Sequence, residues 1–216
     1  MTSFRELLAS DGVREVLHLR GRVGFMAYHG GSLEETTDVI AHAAAERSGA
    51  SYYGVLQPPH MQWHIPSHRV TPAESPALAS FLEHVHVAIT IHGFGRRGLF
   101  TSLLLGGQNR ELAHHVGAHL RRHLPAYDVV TDIERIPKEL RGMHHANPVN
   151  IPQRQGVQIE LPPRVRGSSP LWADWEGPGL VPHTEALITG LADAAREWDD
   201  AQGASRSVTH EVPSSR

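Results

Sequence analysis

Six short apolar runs alternate along this chain with longer segments whose apolar residues recur at helical spacing, and that alternation restricts the fold more than any other feature. The runs lie at Val23–Tyr28, Ser51–Leu56, Val87–Ile91, Thr101–Leu105, Tyr127–Thr131 and Gly156–Leu161. Helical segments fall between them, at about Leu33–Ser48, Ala77–His84 and Arg110–Leu124, with a last one near Thr184–Trp198. Leu112, Val116, Leu120 and Leu124 recur every four residues and mark one core-facing stripe. Strands separated by helices predict an α/β domain with an open, mixed and mostly parallel sheet flanked by helices. At 216 residues the chain suits one full domain and is short for two. That domain is expected over 1–202, with the polar, aperiodic stretch 203–216 as a disordered tail. Ser168–Pro182, "SSPLWADWEGPGLVP", reads as an ordered surface loop that could line a cleft.

Composition excludes several function classes. Hydrophobic residues make up 40% and charged residues 20%, which is ordinary globular usage. No apolar run approaches the roughly 18 residues of a membrane span, and the N-terminus lacks the apolar centre of a signal peptide. The expectation is a cytoplasmic protein with no membrane partner. A net charge of -3 argues against a dedicated nucleic-acid binder. With no cysteine, any metal must be held by His, Asp or Glu. The 17 histidines decide nothing by number, because many fall on expected helix surfaces.

Three stretches could carry chemistry. In "FMAYHGGSLEETT", Phe25–Thr37, a strand ends near Tyr28 and a helix is expected from Leu33. Ser32 and Glu35 have capping-box spacing, which gives Glu35 a structural task and leaves Glu34 free. His29 and Glu34 can then converge across Gly30-Gly31, as a pair of metal donors or as a turn beside a solvated acid. A phosphate loop is disfavoured, since no lysine follows the glycines and two acids would repel an anion. In "VAITIHGFGRRG", Val87–Gly98, a second strand runs into His-Gly and places His92 at a strand's carboxyl end, where open α/β sheets bind ligands. In Gly156–Leu161, Glu160 sits between Ile159 and Leu161, so it points away from their face, into water or into a site. A partly desolvated glutamate beside activated water suits general-base catalysis.

Taken in order, "HGGSLEETT", "SYYGVLQ", "WHIPSHRVTPAESPAL", "VAITIHG", "LLLGGQNREL" and "NPVNIPQRQGVQIELPPRVR" resemble the poly-γ-glutamate hydrolase family, first associated with bacteriophages and also found in bacterial genomes. The resemblance covers about Val23–Arg166 and implies a compact zinc carboxypeptidase-like fold with one zinc ion per chain. It implies hydrolysis of amide bonds between γ-linked glutamates, with His29, Glu34 and His92 as zinc ligands and Glu160 as general base. The family's "HITS" is "HIPS" here, at His64–Ser67, and four residues separate His29 from Glu34 where zinc carboxypeptidases have H-x-x-E. Arg97, Arg154, Arg164 and Arg166 are candidates for oxyanion stabilisation, and Asn150 and Arg154 for binding a substrate carboxylate. A polyanionic substrate calls for positive charge at the cleft, from among Arg96, Arg97, Lys138, Arg141, Arg154, Arg164 and Arg166. The alternatives are the same chemistry on another acidic amide, such as a peptidoglycan peptide or an N-acyl amino acid, or a non-catalytic binding protein that keeps the fold.

Overall fold

The computed structural model describes residues 3–208. Within them the order is α1 (Phe4–Leu8), β1 (Arg14–His18), β2 (Val23–Gly31), α2 (Thr37–Ser48), β3 (Ser51–Gln57), α3 (Pro76–His84), β4 (Val87–Gly93), β5 (Ser102–Leu105), α4 (Arg110–His123), β6 (Asp128–Val130), β7 (Gly156–Leu161), α5 (Pro163–Arg166) and α6 (Pro182–Val208). The strands form one sheet in the order β1-β3-β2-β4-β7-β5-β6. β3, β2, β4 and β7 run parallel, β1 closes one side antiparallel to β3, and β5 joins β7 antiparallel, with β6 parallel to it. The expected α/β architecture with a mixed, mostly parallel sheet is what forms. No helix among the described residues is long and apolar enough to cross a membrane.

Side-chain parity explains the layering. Val23, Phe25 and Ala27 of β2, Val87, Ile89 and Ile91 of β4, and Val157, Ile159 and Leu161 of β7 all point to one face, which α2, α4 and α6 cover. Residues of the opposite parity, among them Met26, Tyr28 and Ala88, pack with Phe4 and Leu7 of α1 and Leu78, Phe81 and Leu82 of α3. A central strand buried on both faces reads as a continuous apolar run, and that is why these strands are visible in the sequence.

Three elements escape such patterning. α1 is one turn held by a capping box, in which Ser3 Oγ accepts from Glu6 N–H and the Glu6 carboxylate accepts from Ser3 N–H. β1 is an edge strand with exposed Arg14 and Glu15, and α5 has four residues. The capping box expected at Ser32 and Glu35 does not form. Helix α2 starts at Thr37, Thr36 in the cap position is left-handed at φ 73°, and Ser32 Oγ donates to the Pro58 and Met61 carbonyls. The physical reason is that residues 32–36 serve as a loop that delivers Glu34 inward, so the helix begins later. The C-terminal boundary also moves: residues 203–208, expected in the tail, continue α6, and 209–216 lie outside the described residues.

Candidate metal and catalytic site

Three adjacent parallel strands, β2, β4 and β7, end together and carry the site. His92 and Glu160 are direct partners across the β4–β7 ladder, so their side chains leave the sheet on one face, next to each other. By parity His29 would point to the opposite face from Tyr28. The register of β2 against β3 shifts between Ala27 and Gly30, and this bulge turns His29 toward the site while Tyr28 keeps its place there. The Tyr28, His29 and His92 rings then meet pairwise at 4.9–5.0 Å. Gly31 follows at φ +71°, where a Cβ would lie 2.2 Å from the Gln57 carbonyl oxygen. Only glycine fits there. Glu34 N–H donates to the His29 carbonyl at 3.0 Å, which closes the loop and brings the Glu34 carboxylate back over the strand end.

That carboxylate is the hub. Its Oε1 lies 2.9 Å from His29 Nδ1, and its Oε2 lies 3.2 Å from His92 Nδ1 and accepts from Gly93 N–H at 2.9 Å. Each histidine has its other nitrogen engaged: His29 Nε2 donates to the Ile65 carbonyl at 2.8 Å, and His92 Nε2 lies 3.0 Å from the Tyr28 hydroxyl. A ring nitrogen held by a protein partner, with the opposite nitrogen facing a shared carboxylate, is the arrangement that orients metal-binding histidines. The donor set, two imidazoles and one carboxylate without sulfur, suits a zinc-like divalent ion. Burial would raise the Glu34 carboxyl, but the His29 and His92 charges and hydrogen bonds outweigh it and hold the group well below the usual carboxylate range. For His92, burial works against the charged form, and the Glu34 charge prevails and raises its pKa.

Glu160 is 5% exposed and accepts from Gln158 Nε2 at 2.8 Å. Burial pushes its carboxyl up, against a smaller lowering by His92. His29, Glu34, His92 and Glu160 open into one cleft of about 720 Å³, whose walls include His64, His68, Phe94, Lys138, Arg141, Met143, His144 and Asn147.

The structure thus unites the four residues singled out from strand ends and separates them from most of the others. Arg97 is exposed on the loop after β4, and Arg154 lies with its guanidinium 5.5 Å over the Trp198 ring of α6. Arg164 lies against the Tyr127 ring at 5.9 Å. None of these three lines the cleft. Arg166 is buried behind the site and donates to the Leu161 and Glu35 carbonyls, so it braces the loop that carries Glu34. Asn150 is committed to backbone: it accepts from Gln108 N–H and donates to the Gly142 and His144 carbonyls, shaping the cleft wall. Of the expected basic cluster, Lys138 and Arg141 reach the cleft. The Ser168–Pro182 loop does not line it.

Sequence reasoning placed His64 in the "HIPS" segment without reading it as a metal donor, and it offers a nitrogen within 4.8 Å of ligand atoms from His29 and Glu34. It is exposed, whereas His92 is buried and held at both nitrogens, so the buried pair is the better oriented. A second group, His115, His119 and Glu197, also has its donor atoms close together. There Arg122 donates to His119 Nδ1 at 2.7 Å, which leaves Nε2 protonated and donating to Glu197. That tautomer has no lone pair for a metal.

Fold and site together define the class: a one-domain α/β protein with a histidine–carboxylate cluster able to hold a metal at the carboxyl edge of its sheet. The profile of the family described as poly-gamma-glutamate hydrolase matches residues 2–169, and the chain belongs to that family. Among solved structures it is similar to a bacteriophage poly-gamma-glutamate hydrolase, at 17% identity and a TM-score of 0.74 over 91% of this chain and 95% of the other. It is also similar to the zinc-free, apo form of YNDL, at 20% identity and a TM-score of 0.70 over 90% and 98% of the two chains. An N-formylglutamate amidohydrolase from Ralstonia eutropha JMP134 follows, at 13% identity and a TM-score of 0.52 over 87% and 98%. At these identities the likeness is one of fold. No curated protein matches the chain by sequence.

Proposed function

We infer that the protein is a zinc-dependent hydrolase of γ-glutamyl amide bonds, with His29, Glu34 and His92 as ligands of one zinc ion and Glu160 as general base. The observation that carries this reading is the convergence of both histidine Nδ1 atoms on the Glu34 carboxylate, with buried Glu160 beside His92 in the same cleft. When bound there, zinc supplies Lewis acidity that polarises an amide carbonyl and acidifies water.

The chain's own residues do the rest. Gln158 holds Oε1 of Glu160, which leaves Oε2 to take a proton from the attacking water and deliver it to the leaving amine nitrogen. Burial, by raising the Glu160 pKa, makes the carboxylate a stronger base than it would be in water. Lys138 gives the cleft wall positive charge for substrate carboxylates, whereas the neighbouring Arg141 is paired with Glu134. Membership of the poly-gamma-glutamate hydrolase family supports a glutamate polymer or a related acidic amide as substrate.

The test combines metal analysis with turnover. Wild-type protein should bind about one zinc per chain and release glutamate or oligomers from poly-γ-glutamate. His29→Ala and His92→Ala should lose zinc, whereas Glu160→Gln should retain it and lose roughly 10²–10⁴ in kcat. Absence of zinc binding at neutral pH, or full activity of Glu160→Gln, would sink the assignment. N-acyl amino acids assayed in parallel separate the polymer from a small acidic amide.

A further inference from the structure

His92 and Glu160 are joined directly across the ladder and also by a second route of buried hydrogen bonds. His92 Nε2 meets the Tyr28 hydroxyl at 3.0 Å, and that hydroxyl donates to Asn147 Oδ1 at 3.2 Å. Asn147 Nδ2 donates to Gln158 Oε1 at 2.8 Å, and Gln158 Nε2 donates to Glu160 Oε1 at 2.8 Å. Tyr28, Asn147 and Gln158 are all buried, so water does not compete for these groups.

The direction of every bond in this route follows from groups that have no choice. Val149 N–H can only donate, and it donates to Asn147 Oδ1 at 3.3 Å, the capping bond of the short turn Pro148–Asn150. At the other end an ionised Glu160 carboxylate can only accept. Asn147 therefore presents its oxygen to Tyr28 and its amide nitrogen to Gln158. Gln158 in turn presents its oxygen to Asn147 and its nitrogen to Glu160. The Tyr28 hydroxyl gives its one hydrogen to Asn147 and so accepts from His92. His92 then carries a hydrogen on Nε2, and its bond to Tyr28 fixes the ring with Nδ1 turned toward Glu34.

We propose that Asn147 is a positioning residue for both halves of the site, holding the His92 ring through Tyr28 by its Nε2–H and, through Gln158, fixing the Glu160 carboxylate by Oε1. The position requires an acceptor and a donor about one amide apart. Aspartate supplies only the acceptor, and leucine supplies neither. The proposal rests on the reading of His92 as ligand and Glu160 as base.

The experiment compares Asn147→Leu, Asn147→Asp, Tyr28→Phe and Gln158→Leu by three readouts. These are zinc affinity by chelator competition, kcat and KM on a γ-glutamyl substrate, and the ¹⁵N imidazole signals of His92 in zinc-free protein, assigned with His92→Gln. Asn147→Leu should weaken zinc binding by roughly 10- to 100-fold, lower kcat about tenfold or more with little change in KM, and move the His92 Nε2 signal. Tyr28→Phe should move the His92 signals and zinc affinity, and Gln158→Leu should lower kcat with zinc affinity retained. Asn147→Asp should behave like Gln158→Leu, because it keeps the acceptor for Tyr28. An unmoved His92 Nε2 signal in Asn147→Leu, with zinc affinity and kcat near wild type, overturns the proposal, as does a fall in melting temperature alone. If Asn147→Leu does not fold, the two half-route variants decide. If the wild type neither binds zinc nor hydrolyses the substrate, the functional reading fails, and the His92 signals still decide whether Asn147 holds the ring.

Discussion

Gly93 follows His92 and donates its N–H to Glu34, and adding one methyl group there tests how tightly the site is braced. A Cβ at position 93 would lie 2.8 Å from Arg166 Cζ, 3.0 Å from its Nη1 and 3.1 Å from its Nε. A side chain with room would swing away, but Arg166 is 9% exposed and bonded through Nη1 to the Glu35 carbonyl at 2.6 Å and through Nε to the Leu161 carbonyl at 3.2 Å. Gly93→Ala must therefore break these bonds or displace the strand end. A lost charge-assisted bond costs about 1.5–3 kcal/mol, and overpacking about 1–3 kcal/mol. Because relief of one lessens the other, the net destabilisation should be about 2–4 kcal/mol. In a chain of this size that lowers the melting temperature by roughly 5–15 °C. Zinc affinity should fall too, since Glu35 adjoins Glu34 and its carbonyl is what Arg166 holds. The assay is a double-mutant cycle by thermal and denaturant unfolding with Arg166→Met as the second change. Once the guanidinium is gone, Gly93→Ala should add little to the cost of Arg166→Met. Additive effects would refute the clash as the cause, and a melting temperature within a degree of wild type would refute the bracing itself.

Without metal the protein should lose stability as pH rises from about 6.5 to 8, above the window in which the lowered His64, His119 and His183 work in the opposite direction. The His92 pKa is raised because Glu34 outweighs burial, so its contribution is complete below the unfolded value near 6.5 and is lost as pH climbs through the folded value. Glu160, raised by burial, has the same sign in a window that opens above about 4.3. Glu34 is depressed, so its contribution is lost only on acidification below about 4.3. Zinc-free melting temperatures that increase toward pH 8 would contradict this. Asn150→Ala should cost about 2–3 kcal/mol and raise KM, because it frees the Gly142 and His144 carbonyls that hold the cleft wall, and an unchanged KM would limit Asn150 to stability. Lys138→Glu should raise KM for a polyanionic substrate by roughly two- to tenfold, with the effect shrinking at high salt, and salt-independent kinetics would remove Lys138 from binding.

The central strands and the four converging residues were legible because each lies where a regular pattern breaks. His29 and His92 end apolar runs, and Glu160 interrupts one between Ile159 and Leu161. Gln158 could have been read the same way, since it shares the Glu160 face two residues earlier. Tyr28 could not, because the bulge that places it beside His29 depends on the pairing with β3. His64, Lys138, Arg141 and Asn147 sit in long connections without periodicity, and only folding brings them to the cleft. The arginines chosen by charge alone fared worst: Arg154 faces an indole ring, and Arg166 serves backbone carbonyls. The misplaced capping box has the same origin. Ser32 and Glu35 match a local motif, but the demand that Glu34 reach His92 overrides it.

The strands bearing His29, His92 and Glu160 are consecutive neighbours, β2, β4 and β7. Their separation is set by backbone pairing, about 4.8 Å from strand to strand, and not by the length of any loop. The sheet therefore acts as a ruler for these three side chains, while much of the cleft wall is carried by the connections around residues 64–68 and 138–147. Insertions or exchanges in those connections can alter what the cleft admits without respacing His29, His92 and Glu160, so selectivity in this scaffold can drift, or be engineered, independently of that spacing.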